Sequence, residues 1–312
     1  MKKLIDMKVL VATEKPFAAV AVDGIREVVE NAGATFELLE KYTDRKQLLD
    51  AVADADALII RSDKVDAEVL DAARQLKVVV RAGAGYDNVD LDAATARGVC
   101  VENTPGQNSN AVAELVFGLA VMMARNLYNG TSGSELKGKT LGIHAFGQVG
   151  RNVARIARGF EMNVSALDPY CPDNVMEDAG VTPVHSVQDL YRDNRYVSLH
   201  IPATPETRNS VGYDLVMLMP KGGVLINTAR KEVIDEPGLM KALDERPDLK
   251  YVADIAPERA KEFEERFPGR VFFTPKKMGA QTAEANINAG IAAARQVVDF
   301  LRDGSAPYRV NR

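Results

Sequence analysis

Short apolar runs alternate with amphipathic segments along almost the whole chain. Val, Ile and Leu dominate the strand-like runs, which lie at residues 9–12, 57–60, 78–80, 99–101, 141–145, 164–167, 197–201, 224–227, 251–255 and 271–274. Helical periodicity is clearest at residues 20–31, 110–126, 149–160, 237–246 and 283–302. Continuous apolar strands separated by helices are typical of parallel sheets that are covered on both faces. The pattern therefore predicts an α/β fold with doubly wound parallel sheets, and 312 residues suit two domains better than one.

One segment resembles a linker: Asn129-Gly-Thr-Ser-Gly-Ser134 is rich in small polar residues. We expect the chain to enter its second domain there, after the long helix that begins near Asn110. The last predicted helix follows the final strand and can return to the first domain.

Composition narrows the class of ligand. A net charge of −5 leaves no basic surplus for nucleic acid, so a small anionic ligand would need local cationic sites. Cys100 and Cys171 are too few for a disulfide framework and fit a reducing cytoplasm. The three histidines are scattered, and we expect no metal site. The N-terminal segment reads as a first strand, not a signal peptide, and the apolar stretch 115–124 is too short to span a membrane.

The segment Leu141-Gly-Ile-His-Ala-Phe-Gly-Gln-Val-Gly150 predicts a strand that enters a helix through a glycine-containing turn. Amide groups at such a helix N-terminus bind pyrophosphate. Asp168 ends the next strand at about the expected offset of ~20 residues, where a carboxylate accepts hydrogen bonds from a ribose and repels a 2′-phosphate. We therefore expect NAD rather than NADP. The predicted contacts are Ala145, Gly147, Gln148, Val149, Gly150 and Asp168.

Ala145 departs from the glycine pattern of such loops, which here reads A-x-G-x-x-G. Alanine can hold the first position only if its backbone angles stay in a region open to L-residues. We therefore expect ordinary backbone angles at Ala145. The alternative for the whole segment is the plain strand–helix turn of an α/β protein.

Six motifs in this order resemble the D-isomer-specific 2-hydroxyacid dehydrogenases. They are Arg81-Ala-Gly-Ala-Gly-Tyr-Asp-Asn-Val-Asp90, Asn103-Thr-Pro, Ala113-Glu-Leu, the dinucleotide loop, Val197-Ser-Leu-His-Ile-Pro202 and Leu225-Ile-Asn-Thr-Ala-Arg230. The match covers nearly the whole chain and is closest to the members that oxidise 3-phosphoglycerate.

The resemblance implies a substrate domain built from residues 1–103 and 282–312 around a Rossmann-type NAD domain, residues 104–281. It places substrate and nicotinamide between the two, in a homodimer formed partly by the long helix before the NAD domain. The chain is shorter than the longer members between Arg125 and Leu136, so we expect a smaller dimer contact. We also expect no serine-binding regulatory domain.

The same resemblance gives roles to individual residues. Arg230 follows a buried strand, and its planar guanidinium can clamp a carboxylate and polarise the reacting carbonyl; the alternative is an arginine that caps a strand end in solvent. Arg61 and Ser62 resemble the pair that contacts the substrate phosphate; the alternative is an exposed arginine in an ordinary strand-to-helix turn. The substrate carboxylate is expected at the backbone amides of Gly83, Ala84 and Gly85.

The remaining cofactor contacts follow two later strands. Asp254 resembles the aspartate that binds the nicotinamide carboxamide. The residues expected to line the cofactor are His200, Ile201, Thr228 and Ala229. His200 has a second interpretation, as a hydrogen-bonded histidine of the core.

The family histidine that transfers the hydroxyl proton is missing from Phe273-Thr-Pro-Lys-Lys-Met-Gly-Ala280. Counting back from Gly279 places Lys277 at its position, and counting forward from Pro275 places Lys276 there. We favour Lys277, because a lysine can relay a proton when a closed site and nearby cations lower its pKa. The family glutamate that pairs with the histidine has its counterpart, shifted by one position, in Glu258. The alternative is that both lysines are solvated and the site is inactive.

The function expected from these residues is NAD-dependent oxidation of D-3-phosphoglycerate, which opens serine synthesis. Reduction of hydroxypyruvate or glyoxylate is the second enzymatic hypothesis. A catalytically silent NAD-sensing homologue is the third.

Overall fold

The computed structural model describes residues 4–311, and Lys2 and Lys3 of the predicted first-strand segment lie outside them. The chain divides into two compact units. The first contains the residues up to Asn108 and those from Thr282, and the second contains Ser109–Gln281.

In the first unit a five-stranded sheet has the order β2-β1-β3-β4-β5, and all of its pairings are parallel. Its strands are β1 (Lys8–Thr13), β2 (Thr35–Glu40), β3 (Ala57–Ile60), β4 (Val78–Arg81) and β5 (Cys100–Asn103). Its helices are α1 (Ala19–Asn31), α2 (Arg45–Val52), α3 (Ala67–Ala72), α4 (Leu91–Ala96) and α12 (Ala283–Asp303). α12 packs on α1, and together they cover one face of the sheet.

In the second unit a seven-stranded parallel sheet has the order β12-β11-β10-β9-β6-β7-β8. Its strands are β6 (Thr140–His144), β7 (Asn163–Leu167), β8 (Thr182–Pro183), β9 (Tyr196–Leu199), β10 (Val224–Asn227), β11 (Lys250–Ala253) and β12 (Val271–Phe273). Its helices are α5 (Ser109–Ala124), α6 (Gln148–Gly159), α7 (Asp173–Asp178), α8 (Val187–Asp193), α9 (Tyr213–Val216), α10 (Glu236–Glu245) and α11 (Ala260–Arg266). The predicted class of two doubly wound α/β sheets is confirmed.

Strand order fixes where ligands can bind. In both sheets the chain winds outward in two directions from an inner pair of strands, β1 and β3 in the first unit and β6 and β9 in the second. The loops that leave such a pair at their carboxyl ends diverge and open a crevice. The dinucleotide loop follows β6, and Arg61 follows β3.

Burial explains why these strands form. Every residue of β3, β9 and β10 is buried, so each strand needs apolar side chains on both faces. α6 turns Val153, Ala154 and Ala157 into the core.

Two elements differ from the predicted boundaries. α5 ends at Ala124, because Asn126, Leu127 and Tyr128 have positive φ angles of 49°, 55° and 56° and cannot continue a right-handed helix. The segment 129–134, expected where the chain enters its second domain, lies inside the second unit, whose boundary precedes α5. Within residues 4–311 no helix is long and apolar enough to cross a membrane.

Candidate cofactor and substrate sites

The start of α6 offers unused amide donors. Gly147 is the N-cap, no side chain caps the helix, and the first intrahelical bond runs from the Arg151 amide to the Gly147 carbonyl over 3.0 Å. The amides of residues 148–150 therefore have no partner within the described part of the chain. A Cβ placed on Gly147 would meet no atom within 4 Å, so a phosphate can approach this backbone closely.

Gly150 has a different role. A Cβ on it would lie 2.4 Å from the carbonyl oxygen of Ala145 and 3.1 Å from Ile143. Glycine is required there because α6 packs directly against the end of β6.

The backbone angles expected for Ala145 were wrong. Its φ is 84°, in the left-handed region that favours glycine. The Ala145 amide donates to the Leu167 carbonyl over 2.9 Å, and the close approach of Gly150 holds its carbonyl. An L-residue in this region costs roughly 1–2 kcal/mol, so the loop keeps the glycine geometry at the expense of strain.

Asp168 lies just after β7 with its carboxylate already oriented. One oxygen accepts the Phe146 amide over 2.8 Å, and the other accepts the Tyr170 amide over 2.9 Å. Each carboxylate oxygen has capacity for a further hydrogen bond. The residues of this loop therefore fit a dinucleotide, with free amides for the pyrophosphate and a fixed acceptor for ribose hydroxyls.

His144 is the last residue of β6, and His200 directly follows β9, the neighbouring strand of the inner pair. The His200 ring lies 2.9 Å from the Ser198 hydroxyl, and the His144 ring lies 3.4 Å from the Tyr191 hydroxyl. Burial lowers the pKa of His200 to about 3 and that of His144 to about 4. Both rings are neutral near pH 7 and cannot act as cationic acids there. Both have hydrogen-bond partners, as the core interpretation of His200 requires, and its cofactor contact stays a prediction.

The turn after β10 presents Arg230 to solvent. The Asn227 side chain organises it, because its amide donates to the Arg230 carbonyl and its oxygen accepts the Ala229 amide, both over 2.9 Å. Arg230 is exposed and donates to the Ala229 carbonyl over 3.0 Å. Within residues 4–311 no carboxylate lies within ion-pair distance of it, so its charge is available to an anion.

Thr228 and Ile201 belong to the cofactor contacts expected from the sequence. Ile201 is 7% exposed and packs in the core of the second unit. The Thr228 hydroxyl is buried without a hydrogen-bond partner. A buried polar atom of this kind is uncommon in a native fold and is a place where a bound ligand can supply the missing bond.

Asp254 anchors the segment that carries the two lysines. Its side chain is 3% exposed and accepts three hydrogen bonds, from the Thr274 hydroxyl (2.8 Å), the Met278 amide (2.7 Å) and the Gly279 amide (2.8 Å). The Thr274 hydroxyl also accepts the Ile255 amide over 3.1 Å. This anchoring role was not foreseen from the sequence, which assigned Asp254 only to the cofactor.

Lys276 and Lys277 lie on the short segment between these anchors, and both are exposed. The geometry does not select one of them. Glu258 forms an exposed ion pair with Lys231 over 3.1 Å, with 77% of the Glu258 side chain accessible. The catalytic assignments of Lys277 and Glu258 stay predictions.

In the first unit Arg61 bridges the loops that leave β1 and β3. Its guanidinium donates to the carbonyls of Lys15 (3.1 Å) and Pro16 (2.9 Å) and to the side-chain oxygen of Asn286 (2.7 Å), and it lies over the Phe17 ring. Burial lowers its pKa. No carboxylate of the described residues pairs with it, although it is fixed in position.

Ser62 is exposed beside Arg61, and two neighbours hold the turn that carries both residues. The buried Asp63 carboxylate accepts the Glu14 amide over 2.7 Å, and the Asn88 side chain donates to the carbonyls of Arg61 (3.4 Å) and Asp63 (2.6 Å). Asn88 belongs to the Arg81–Asp90 motif, so that motif positions the Arg61–Ser62 turn.

Arg81 is a candidate ligand that the sequence reasoning missed. It pairs in register with Ile60, so the chain turns from β3 into Arg61 close by. Burial lowers the pKa of Arg81, and repulsion from Arg61 lowers it further. Its guanidinium fills the space where Gly83, at φ 146°, would carry a Cβ. The Asp63 charge opposes the lowering of the pKa of Arg61 and the Asp87 charge opposes that of Arg81, but within residues 4–311 neither guanidinium forms an ion pair with a carboxylate. Two guanidinium groups that repel each other in this way can bind an anion.

The Gly83–Gly85 turn is held by the strand beside it. The Thr104 amide donates to the Gly83 carbonyl over 3.0 Å, and the Asn103 side chain donates to the Ala84 carbonyl over 2.7 Å. Ala84 is exposed, and these bonds fix the predicted carboxylate-binding turn through its carbonyls.

Comparisons with known proteins agree with this architecture. The family model described as "D-isomer specific 2-hydroxyacid dehydrogenase, catalytic domain" matches residues 13–311. A crystal structure of NAD⁺-bound 3-phosphoglycerate dehydrogenase from Entamoeba histolytica is 45% identical, with a TM-score of 0.85, and the match covers 98% of this chain and 99% of that one.

Two curated relatives carry different activities. D-3-phosphoglycerate dehydrogenase from Methanocaldococcus jannaschii is 37% identical over 86% of this chain, which spans about half, 54%, of that protein. Glyoxylate reductase from Thermococcus litoralis is 31% identical over 92% of this chain and 95% of its own length.

Proposed function

The chain belongs to the family of D-isomer-specific 2-hydroxyacid dehydrogenases, and from that premise we propose that it oxidises D-3-phosphoglycerate to 3-phosphohydroxypyruvate with NAD. The observation that carries the choice of substrate is the mutually repelling pair of guanidinium groups of Arg61 and Arg81, neither of which forms an ion pair with a carboxylate of the described residues. A phosphorylated substrate brings a dianion that such a pair can bind, whereas glyoxylate and lactate bring only a carboxylate. The Entamoeba relative, named as a 3-phosphoglycerate dehydrogenase, supports the same choice.

The cofactor proposal rests on the loop after β6. Gln148, Val149 and Gly150 would bind the pyrophosphate through their amides, and Asp168 would bind the adenosine ribose. The carboxylate of Asp168 favours NAD over NADP because it repels a 2′-phosphate. When bound, the nicotinamide accepts the hydride from the substrate's C2.

The remaining chemistry falls to side chains of this chain. Arg230 would bind the substrate carboxylate bidentately and polarise the C2 oxygen. Lys277 would take the proton of the C2 hydroxyl as the hydride leaves, and return it in the reverse reaction. Glu258, which pairs with Lys231 over 3.1 Å, would act as an electrostatic partner in the site.

A second function has two relatives in its favour, a glyoxylate reductase matched over 95% of its length and a hydroxypyruvate reductase matched over 91% of its length. In that case the chain would reduce glyoxylate or hydroxypyruvate, and Arg61 would have little effect on turnover. A silent NAD-binding homologue is the third candidate and would show no turnover with any of these substrates. We also propose a cytoplasmic homodimer, with α5 at its interface.

The test compares substrates with and without a phosphate. The purified chain is assayed for NADH formation with D-3-phosphoglycerate and D-glycerate, and for NADH consumption with hydroxypyruvate and glyoxylate. Arg61→Ala should raise KM for 3-phosphoglycerate by roughly 10–100-fold, since charge-assisted hydrogen bonds contribute about 1.5–3 kcal/mol. Arg74→Ala, which removes an exposed arginine of the same unit, is the control and should have no effect. Equal KM values for parent and Arg61→Ala would reject the phosphate assignment.

The proton-transfer proposal has its own matched pair. Lys277→Met should lower kcat by about 10²–10⁴-fold, the range for loss of a general base, while Lys276→Met should retain turnover. The opposite result would move the role to Lys276. Normal turnover in both variants would contradict any role for these lysines.

A further inference from the structure

A basic cavity lies at the edge of the second sheet where the strands begin. This is the edge opposite to the one that carries the cofactor loop. It has a volume of about 260 Å³ and is lined by the end of α5, the loop after it and the amino-terminal ends of β9, β10 and β11. The cofactor loop follows the carboxyl end of β6, so this cavity is separate from the candidate cofactor site. Its two cations are Arg195 and Lys250.

Neither cation has a carboxylate partner within residues 4–311. Lys250 donates to the Met123 carbonyl over 2.9 Å and to the Asn126 side-chain oxygen over 3.0 Å. Arg195 donates through Nε to the Gly222 carbonyl over 3.3 Å, and the outer nitrogens of its guanidinium form no hydrogen bond with the described residues. Burial lowers the pKa of Lys250, and the nearby Arg195 charge lowers it further. Two half-buried cations that repel each other would be stabilised by an anion.

Lys250 has a structural role that does not require a ligand. The carbonyl end of a helix carries about half a negative charge, and Lys250 neutralises it at the end of α5. That accounts for Lys250 but leaves Arg195 in excess. The cavity therefore carries more positive charge than α5 requires.

The loop after α5 is shaped to line this cavity. Asn126 takes a positive φ of 49°, and its side-chain amide donates to the Thr131 hydroxyl (3.0 Å) and the Ser132 carbonyl (3.1 Å). The Ser134 amide donates to the Ala124 carbonyl over 2.8 Å, and a Cβ on Gly133 would lie 2.3 Å from that same carbonyl. These contacts bring Ser132 and Ser134 to the cavity wall. The Ser134 hydroxyl bonds to the Tyr196 hydroxyl, and the Ser132 hydroxyl can add a donor for an anion.

We propose that Arg195, Lys250 and the Ser132–Ser134 loop form a binding site for a phosphoryl dianion, either free phosphate or the phosphate of a small phosphomonoester. The cavity is larger than a phosphate ion, and Met123, Tyr196 and Val224 give it an apolar wall. A small organic remainder therefore has room beside the phosphate. The site is independent of the proposed reaction.

Isothermal titration with inorganic phosphate, at constant ionic strength, tests the proposal. All proteins carry Arg61→Ala and are saturated with NADH, so that neither the phosphate site proposed in the first unit nor the free amides at the start of α6 contribute. Adding Arg195→Met and Lys250→Met should weaken phosphate binding at least about tenfold. The control adds Arg158→Met and Lys261→Met, two exposed cations of the same unit with the same loss of charge, and should leave binding unchanged.

Stability is checked separately, because Lys250 also holds the end of α5. Lys250→Gln keeps a donor for the Met123 carbonyl but loses the charge, and it should fold like the parent and still bind phosphate more weakly. Equal affinity in parent, cavity and control variants would overturn the proposal. Absence of phosphate binding to the parent at 50 mM, taken as roughly the upper limit for a useful charge-assisted site, would overturn it too.

A second titration identifies the source of the phosphoryl group. Glycerol 3-phosphate that binds at least as tightly as phosphate, with no binding of glycerol, would assign the site to phosphomonoesters. Binding of phosphate without binding of glycerol 3-phosphate would assign it to the free ion. Binding of glycerol as tightly as its phosphate would contradict an anion site.

Discussion

Two glycines three positions apart at the start of α6 should respond to the same substitution for different physical reasons. Gly147 faces open space, and Gly150 faces the carbonyl of Ala145. Replacing each with alanine in turn separates the cost to the fold from the cost to the cofactor.

The magnitudes follow from the contacts. The Cβ of Gly150→Ala would lie 2.4 Å from a backbone oxygen, about 1 Å closer than ordinary contact, so α6 must move away from β6. Overpacking of this kind costs roughly 1–3 kcal/mol. At about 2–4 °C per kcal/mol, Tm should fall by roughly 2–12 °C. Gly147 has φ −74° and ψ −160°, which alanine adopts readily. In Gly147→Ala, loss of the glycine N-cap lowers the free energy of unfolding, and the reduced entropy of the unfolded chain raises it. The two effects should cancel to within about 0.5 kcal/mol.

The assay pairs thermal unfolding without cofactor with a fluorescence titration of NADH. Gly147→Ala should keep its Tm and bind NADH roughly tenfold or more weakly, because the methyl group occupies the space for the pyrophosphate. Gly150→Ala should lose both stability and affinity. Gly159→Ala, at the other end of α6 and with no atom within 4 Å of its Cβ, is the control. It should leave NADH affinity unchanged and Tm unchanged or slightly higher, because alanine favours the helix more than glycine does. The reasoning fails if Gly150→Ala is as stable as the parent, or if Gly147→Ala binds NADH normally.

Three further outcomes are expected. Ala145→Gly should leave Tm unchanged or raise it slightly in calorimetry, since relief of roughly 1–2 kcal/mol of strain exceeds a glycine entropy cost of about 0.5–1 kcal/mol; a clear fall in Tm would contradict the strain. In Asp254→Asn the new NH₂ group cannot accept the Gly279 amide, so the segment that carries the two lysines loses an anchor. The value of kcat should fall, while the Kd for NADH, measured by fluorescence, should change less. A loss confined to NADH binding would argue against the anchoring role. The lowered pKa values of His144 and His200, about 4 and about 3, mean that the unfolded chain binds more protons as pH falls below 6.5. The stability that these neutral rings contribute above pH 6.5 should therefore be lost between pH 6.5 and about 4 in urea unfolding, and His200→Asn should flatten that slope.

Hydrophobic pattern predicted the strands that are buried on both faces, because such strands need continuous apolar residues. It missed β2 and β8, which lie at sheet edges. The burial of β2 reads exposed, buried, half-buried, exposed and then half-buried twice along TFELLE, so its polar positions conceal it. β8 spans only Thr182–Pro183 and carries no pattern at all.

Two features of the candidate sites were not predicted from the sequence, the backbone conformation of Ala145 and the role of Arg81. Ala145 inherits a glycine conformation because its hydrogen bond to Leu167 and the contact with Gly150 fix the loop, and neither constraint can be read from residue 145 alone. Arg81 was quoted as part of a motif but given no role. The signal was available, since Arg81 ends a buried strand that neighbours β3, and the carboxyl ends of parallel strands meet at one edge.

The anchoring by Asp254 explains how a lysine can stand where the family pattern has a histidine. The path of residues 274–279 is set by the Thr274 hydroxyl and by the amides of Met278 and Gly279, all bound to one buried carboxylate. None of these contacts depends on the side chains at positions 276 and 277. The backbone can therefore present different side chains from the same segment without a change in its path, because the anchoring bonds use only the Thr274 hydroxyl and main-chain amides.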